Sequence, residues 1–270
     1  MAAITVRHVI NRRHFLAATM VGSLAAAGMA RAGAQPLVGD AGTVATLNAG
    51  HVPTQWGMAL PGITTSFPAN GREIALTFDA CPGGCDDALI DTLVRTGVPA
   101  VLFLNSRWID AHPDRAAQLA ANPLFEIGNH GTRHVPLSVT GRSAYGIRGT
   151  RSVNEVIDEV WTNHNKIAAL TGRPPTWFRT GTAHYDDVAV SIVHELGETP
   201  LGFTVNADNG ATASASLVRS NISAAAPGSI VIAHMNHPKS GTAAGVGAAI
   251  GAMQAAGWNF VPVSGRAATG

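Results

Sequence analysis

Charged side chains are scarce in this sequence of 270 residues: Asp, Glu, Lys and Arg together make 13%, against 46% apolar. That balance excludes a disordered chain, which stays unfolded because it has too little apolar surface to bury. Lysine occurs only at Lys166 and Lys239, and tyrosine, at Tyr145 and Tyr185, is equally rare; both shortages are read as compositional bias of the source. No basic patch is present, which excludes nucleic acid or an anionic membrane surface as partner. Cysteine is limited to Cys81 and Cys85 in Cys-Pro-Gly-Gly-Cys. The Pro-Gly-Gly turn can bring the two close enough for a disulfide, and such a bond would staple one loop, not the fold. No repeat of fixed period is found, which argues against a solenoid.

Acidic residues are wholly missing from residues 1–34, which carry Arg7, Arg12, Arg13 and Arg31. An apolar run from Phe15 to Ala30 follows the paired arginines, and Arg12-Arg13-His14-Phe15-Leu16 resembles a twin-arginine export signal. Cleavage is expected after Ala32 or Ala34. Gly22, Gly28 and Arg31 interrupt the run, which falls short of the roughly 20 residues that span a bilayer. No later segment is apolar enough to cross one. The expectation is a periplasmic or secreted protein with a mature charge of about −3, because 18 basic residues lose four and the 17 acids remain.

Residues 35–70 are rich in Gly, Pro, Thr and Ala without a sustained period and read as an irregular lead-in wrapped onto the domain that follows. From residue 71 to 265 short apolar runs alternate with helical stretches. Strands are expected at Glu73 to Phe78, Ala100 to Leu104, Phe125 to Gly128, Thr176 to Phe178, Gly202 to Asn206, Ser229 to His234 and Asn259 to Val263. Helices fall between them at Asp86 to Gly97, Pro113 to Asn122, Arg151 to Thr171, Asp187 to Leu196, Ser214 to Ala226 and Ala243 to Ala256. Seven such units indicate an α/β fold with a mainly parallel sheet, closed into an open or distorted barrel.

Asp79, His130, Arg179, Asp208 and His234 each fall just beyond the carboxyl end of an expected strand, where parallel barrels build their active sites. His130 and His134 in HGTRH stand four apart; on a helical turn both rings share a face and can reach one metal ion. Asp79 ends a buried strand, so its carboxylate must be paired, ligated or catalytic. Arg179 can pair with Asp79 and keep it ionised. Asp208 follows the strand next to that of His234 and can orient its imidazole.

These residues lie in TFDA (Thr77 to Ala80), HGTRH (His130 to His134), FRTGT (Phe178 to Thr182), VNAD (Val205 to Asp208) and IAH (Ile232 to His234). Together and in this order they resemble the five motifs of the polysaccharide deacetylases, the NodB homology family or carbohydrate esterase family 4. The resemblance implies a distorted (β/α)7 barrel that removes acetyl groups from N-acetylated, less often O-acetylated, sugars of a polysaccharide such as peptidoglycan, chitin-like oligomers or exopolysaccharide. It further implies a divalent metal, usually zinc, on His130 and His134, with Asp79 as general base and Arg179 orienting it. His234 becomes the general acid, tuned by Asp208.

Two positions depart from the family pattern. The family has TFDD, whose second aspartate is a metal ligand, and here that position is Ala80. Two histidines with water, a carboxylate from Asp86 or Asp87, or Cys81 can fill the gap, with Cys81 ranked below its disulfide. After Arg179 the family's proline-rich turn is replaced by TGTAHYD, where an aromatic residue, Tyr185, comes late. Two other functions use the same features: a carbohydrate-binding relative that has lost its metal, and a small-molecule amidase.

Overall fold

The computed structural model describes residues 39–266, so the export signal expected over residues 1–34 lies outside the described residues. A short helix α1 (Ala41–Leu47), capped by Asp40, and a two-residue strand β1 (Trp56–Gly57) come first. The lead-in wraps onto the domain through them: Val44 packs among Val156, Val160 and Ile192, and Trp56 pairs with Asp186.

The next elements are β2 (Glu73–Ala80), α2 (Asp87–Thr96), β3 (Ala100–Leu104), α3 (Ser106–Ala111), α4 (Pro113–Ala121) and β4 (Phe125–Asn129). A small hairpin of β5 (Ser143–Ala144) and β6 (Ile147–Arg148) leads into the long helix α5 (Val153–Thr171). After it come β7 (Trp177–Phe178), β8 (Tyr185–Asp186), α6 (Asp187–Glu195), β9 (Thr199–Pro200) and β10 (Val205–Asn206). The final stretch holds α7 (Ala215–Ser223), β11 (Ile230–His234), α8 (Thr242–Ala255) and β12 (Asn259–Phe260).

Seven strands run parallel in the order β10-β11-β2-β3-β4-β7-β9, with β12 added beside the start of β2. This is the distorted (β/α)7 barrel expected of the sequence, curled but open between β9 and β10. Pro200 has no N–H to give a further neighbour, which suits the strand at that edge.

Three details differ from the pattern expected of the sequence. The strand expected at Gly202 to Asn206 shrinks to Val205–Asn206, and Thr199–Pro200 supplies the strand beside β7. The strand expected to Val263 ends at Phe260. The helix expected at Pro113 is preceded by a separate one: His112 leaves helical geometry at φ −135°, and Pro113, which has no N–H to satisfy, opens α4.

Strand alternation sorts β2 into two faces. Ile74, Leu76, Phe78 and Ala80 pack outward with Leu89 and Leu93 of α2 and Val246 and Ile250 of α8. Ala75, with Val101, Phe103 and Ile230 of the neighbouring strands, fills the barrel interior. Asp79 shares that inner face, two residues on from Thr77, and it stands at the carboxyl end.

Candidate active site

Five elements converge on one rim. Asp79 is the next-to-last residue of β2, His130 follows β4, Arg179 follows β7, Asp208 follows β10 and His234 ends β11. Parallel pairing in register sets His234 opposite Asp79 on adjacent strands. All six residues singled out from the sequence meet here.

Asp79 is 3% exposed and its Oδ1 accepts a hydrogen bond from Arg179 Nη1 at 2.8 Å. Arg179 is wholly buried, and its remaining donors reach Thr77 Oγ1, the Leu201 carbonyl and the Gly202 carbonyl. Its guanidinium also lies 4.3 Å from the centre of the Phe103 ring. The planar fork is therefore fixed, and Asp79 is fixed with it. Burial alone would raise the Asp79 carboxyl; the charges of Arg179, His130 and His234 outweigh it and hold the group below its usual range. The Arg179 contribution persists at neutral pH, where His130 is uncharged.

His234 Nδ1–H donates to Asp208 Oδ1 at 2.9 Å, and its backbone N–H donates to Oδ2 at 2.8 Å. Thr242 Oγ1 completes the cradle of Asp208 at 2.9 Å. Burial would lower the His234 pKa, but the bond to Asp208 and the charges of Asp79 and Asp208 raise it above the ordinary value. This places a proton donor across from an ionised acceptor.

His130 Nδ1–H donates to the Arg179 carbonyl at 2.8 Å, which leaves Nε2 as a lone pair facing the site, 3.6 Å from Asp79 Oδ2. His134 does not share a helical turn with it. The HGTRH segment is a loop in which His134 adopts a left-handed φ of 65°, and the two rings meet edge to face at 4.9 Å. Burial and the neighbouring imidazole push His134 down to about 3, and burial likewise lowers His130, so both rings are neutral and able to ligate.

The third neighbour of these rings is Cys81. Its Sγ lies 2.9 Å from His134 Nε2 and 3.5 Å from His130 Nε2, and the three side chains form a cluster with ligand atoms all within 4.8 Å. The disulfide considered for Cys81 and Cys85 is not formed: both are free, and Cys85 sits beside Arg115 and Asp87. The carboxylates weighed as substitutes are occupied elsewhere. Asp86 caps α2 by accepting from the Leu89 N–H, and Asp87 pairs with Arg115 at 2.7 Å. Donor types and spacing in the Cys-His-His cluster fit a divalent metal of the zinc class.

Two side chains that the sequence reading did not single out hold the HGTRH loop. Glu159 of α5, 1% exposed, accepts from the backbone N–H groups of Thr132, Arg133 and His134 through Oε1 at 2.8 to 3.1 Å. Asn105 Nδ2 donates to the carbonyls of His130 and Gly131. The signal for Glu159 was present: it stands in the apolar stripe of α5 between Val156 and Asn163, and an acid buried there needs partners. Tyr185, in contrast, is buried away from the rim, where its oxygen accepts the Thr180 N–H.

A cavity of about 410 Å³ opens onto Asp79 and His234, walled by Met58, Tyr145, Ile147 and Phe203 and floored by the Gly181 to Ala183 turn. Its volume and mixed lining are those of a small-ligand or single-sugar pocket.

The carboxyl rim of this open parallel barrel carries two buried pairs, Asp79 with Arg179 and Asp208 with His234, beside a cluster of Cys81, His130 and His134 that could hold a metal ion. A family model described as polysaccharide deacetylase matches residues 67–201, and the chain belongs to that family. Among solved structures, the fold is similar to a peptidoglycan N-acetylglucosamine deacetylase at 21% identity and TM-score 0.65, covering 75% of this chain and 91% of that one. A family 4 carbohydrate esterase from Streptomyces lividans in complex with acetate gives 21% and 0.60, with 75% and 98% covered. A family 4 pseudoenzyme from Bacillus anthracis gives 21% and 0.63, with 75% and 67% covered. No curated protein sequence matches the chain.

Proposed function

We propose that this chain is an exported, metal-dependent deacetylase that hydrolyses the acetamido group of an N-acetylated sugar in a polysaccharide such as peptidoglycan. The observation that carries the reading is the pair of fixed dyads, Asp79 with Arg179 and Asp208 with His234, facing one cavity beside the two neutral histidines.

A divalent metal held by His130 and His134, when bound, supplies a Lewis acid for the acetyl carbonyl and a more acidic water. Asp79, ionised and immobile, accepts the proton of the attacking water. Arg179 holds the carboxylate in place and stays too buried to leave it. His234 carries the proton that the departing amine needs, and Asp208 keeps its Nε2–H directed into the cavity. The rim residues Tyr145, Ile147, Met58 and Phe203 offer the apolar and aromatic faces on which sugar rings stack.

A second reading, a sugar-binding relative without activity, is favoured by Ala80 at the family's ligand position and is separated by the same measurement. Protein recovered from the periplasm or medium, its N-terminus at Gly33 or Gln35, should release acetate from peptidoglycan fragments or chitooligosaccharides once loaded with zinc. Asp79→Asn should keep the metal and lose turnover by roughly 10²-fold or more, the scale of general-base catalysis. Absence of acetate from every acetylated glycan, together with no bound metal, would leave the binding reading; recovery solely in the cytoplasm with residue 1 intact would remove export.

A further inference from the structure

The structure assigns Cys81 as the third protein ligand of the metal site, a thiolate one residue beyond the position where the family carries an aspartate. The assignment rests on the proposed deacetylase reading for the presence of a metal, and it changes the chemistry of that metal's site.

The geometry begins with the strand. Ile74, Leu76, Phe78 and Ala80 form the outward face of β2, and Ala80 is fully buried against the helices. A side chain at position 80 on this backbone points into the hydrophobic layer and not at the histidines. The residue that turns back toward the barrel mouth is the next one. Cys81 leaves the sheet after Ala80, and its sulfur is held against both imidazoles.

Distances agree with ligation. Zinc bonds of about 2.0–2.1 Å to nitrogen and 2.3 Å to sulfur in a tetrahedron separate N from S by roughly 3.5 Å. Cys81 Sγ stands 3.5 Å from His130 Nε2 and closer, at 2.9 Å, to His134 Nε2, a spacing that a bound ion widens with small side-chain rotations. His130 is tautomerically fixed for this by the Arg179 carbonyl on its other nitrogen. The carboxylates have other partners: Asp79 Oδ1 is held by Arg179, with its Oδ2 3.6 Å from His130 Nε2, Asp86 Oδ1 caps a helix and Asp87 is on the surface with Arg115.

Bland burial of a cysteine explains less. A buried structural thiol needs apolar neighbours, whereas this one meets the Nε2 atoms of two imidazoles, one of them anchored through its other nitrogen to the Arg179 carbonyl, four residues from a second cysteine that stays clear of the site. Ligation exchanges the thiol proton for the metal: the S–H bond breaks, the proton passes to solvent, and the sulfur lone pair forms the new bond. A Cys-His-His set with one position left for substrate or water suits zinc or cobalt, and excludes magnesium and calcium, which take oxygen ligands.

The test uses the full mature protein. Cobalt-loaded wild type should show an intense near-ultraviolet thiolate-to-cobalt charge-transfer band, and zinc-loaded wild type an absorption fine structure with one sulfur at about 2.3 Å. Cys81→Asp should keep one metal per chain and lose the band; Cys81→Ala should lose the band and weaken zinc binding by tenfold or more. Cys85→Ala should change neither. Metal bound without a sulfur scatterer overturns the assignment while leaving the deacetylase reading intact. A sulfur-bearing site in a protein that releases no acetate upholds the assignment and sinks the deacetylase reading, and failure of the wild type to bind metal overturns both.

Discussion

Asp208 and His234 show how far a single side chain decides the chemistry. Asp208 spends both oxygens on its neighbour's ring and backbone and on Thr242, and it lifts the His234 pKa above the ordinary histidine value. A raised value keeps the acid protonated further into the alkaline range, so activity that needs the proton is lost only as pH rises through it. Asp208→Asn removes the charge and keeps the shape. The alkaline limb of the kcat profile should then move to lower pH while the acid limb stays; an unmoved alkaline limb would mean that His234 is not the titrating acid. At this scale the sequence was most legible. A polar residue at a strand end has few uses, and five of them lay in one ordered set. Cys81 was misread for the opposite reason: CPGGC invites a local pairing, but the partner its sulfur meets is on a loop 49 and 53 residues away. Which of the two wins depends on the path of that loop, which no local pattern encodes.

The loop in question is an element without regular structure, and it needs a scaffold. His134 sits at φ 65° and Gly131 at φ 71°, left-handed geometry that costs a β-carbon-bearing residue about 1 kcal/mol or more. Glu159 meets that cost by accepting three successive N–H groups, and a β-carbon at Gly131 would come within 2.7 Å of its carboxylate. Glu159→Ala should strand those donors, lowering stability by roughly 3 kcal/mol, and should release the metal more readily because His134 loses its place. Glu159→Gln, which retains an acceptor oxygen, should cost clearly less in thermal melting; equal losses would show that packing and not acceptance is what Glu159 provides. Long elements with a strong period, such as α5 and β2, were legible within about two residues. The two-residue strand β9 was not, since Thr199–Pro200 is a strand by virtue of Trp177 and Phe178 beside it and carries no period of its own.

Across the whole molecule, β4, α5 and the turn before β9 are tied by a buried polar network. Glu198 Oε1 accepts from His164 Nδ1 at 2.7 Å and from Asn129 Nδ2 at 2.9 Å, and Asn163 bridges Asn129 to the Leu104 carbonyl. Asn129 in turn accepts the Gly131 N–H, so the network reaches the base of the HGTRH loop. Glu198 Oε2, however, has no partner among the described residues, and burial lifts the carboxyl from 4.5 to about 7 despite the bonds to His164 and Asn129. A folded-state value above the unfolded one means that the native chain binds the extra proton between those limits. Stability is then fully present below about 4.5 and declines as pH rises toward and past 7. Glu198→Gln keeps the accepting oxygen and cannot ionise. Its melting temperature should accordingly lose the decline that the wild type shows over that window, approaching or exceeding the wild type at pH 8 while matching it near pH 4.5. A wild type whose melting temperature instead climbs from pH 5 to 8, with the variant parallel to it, would show that Glu198 is ionised throughout.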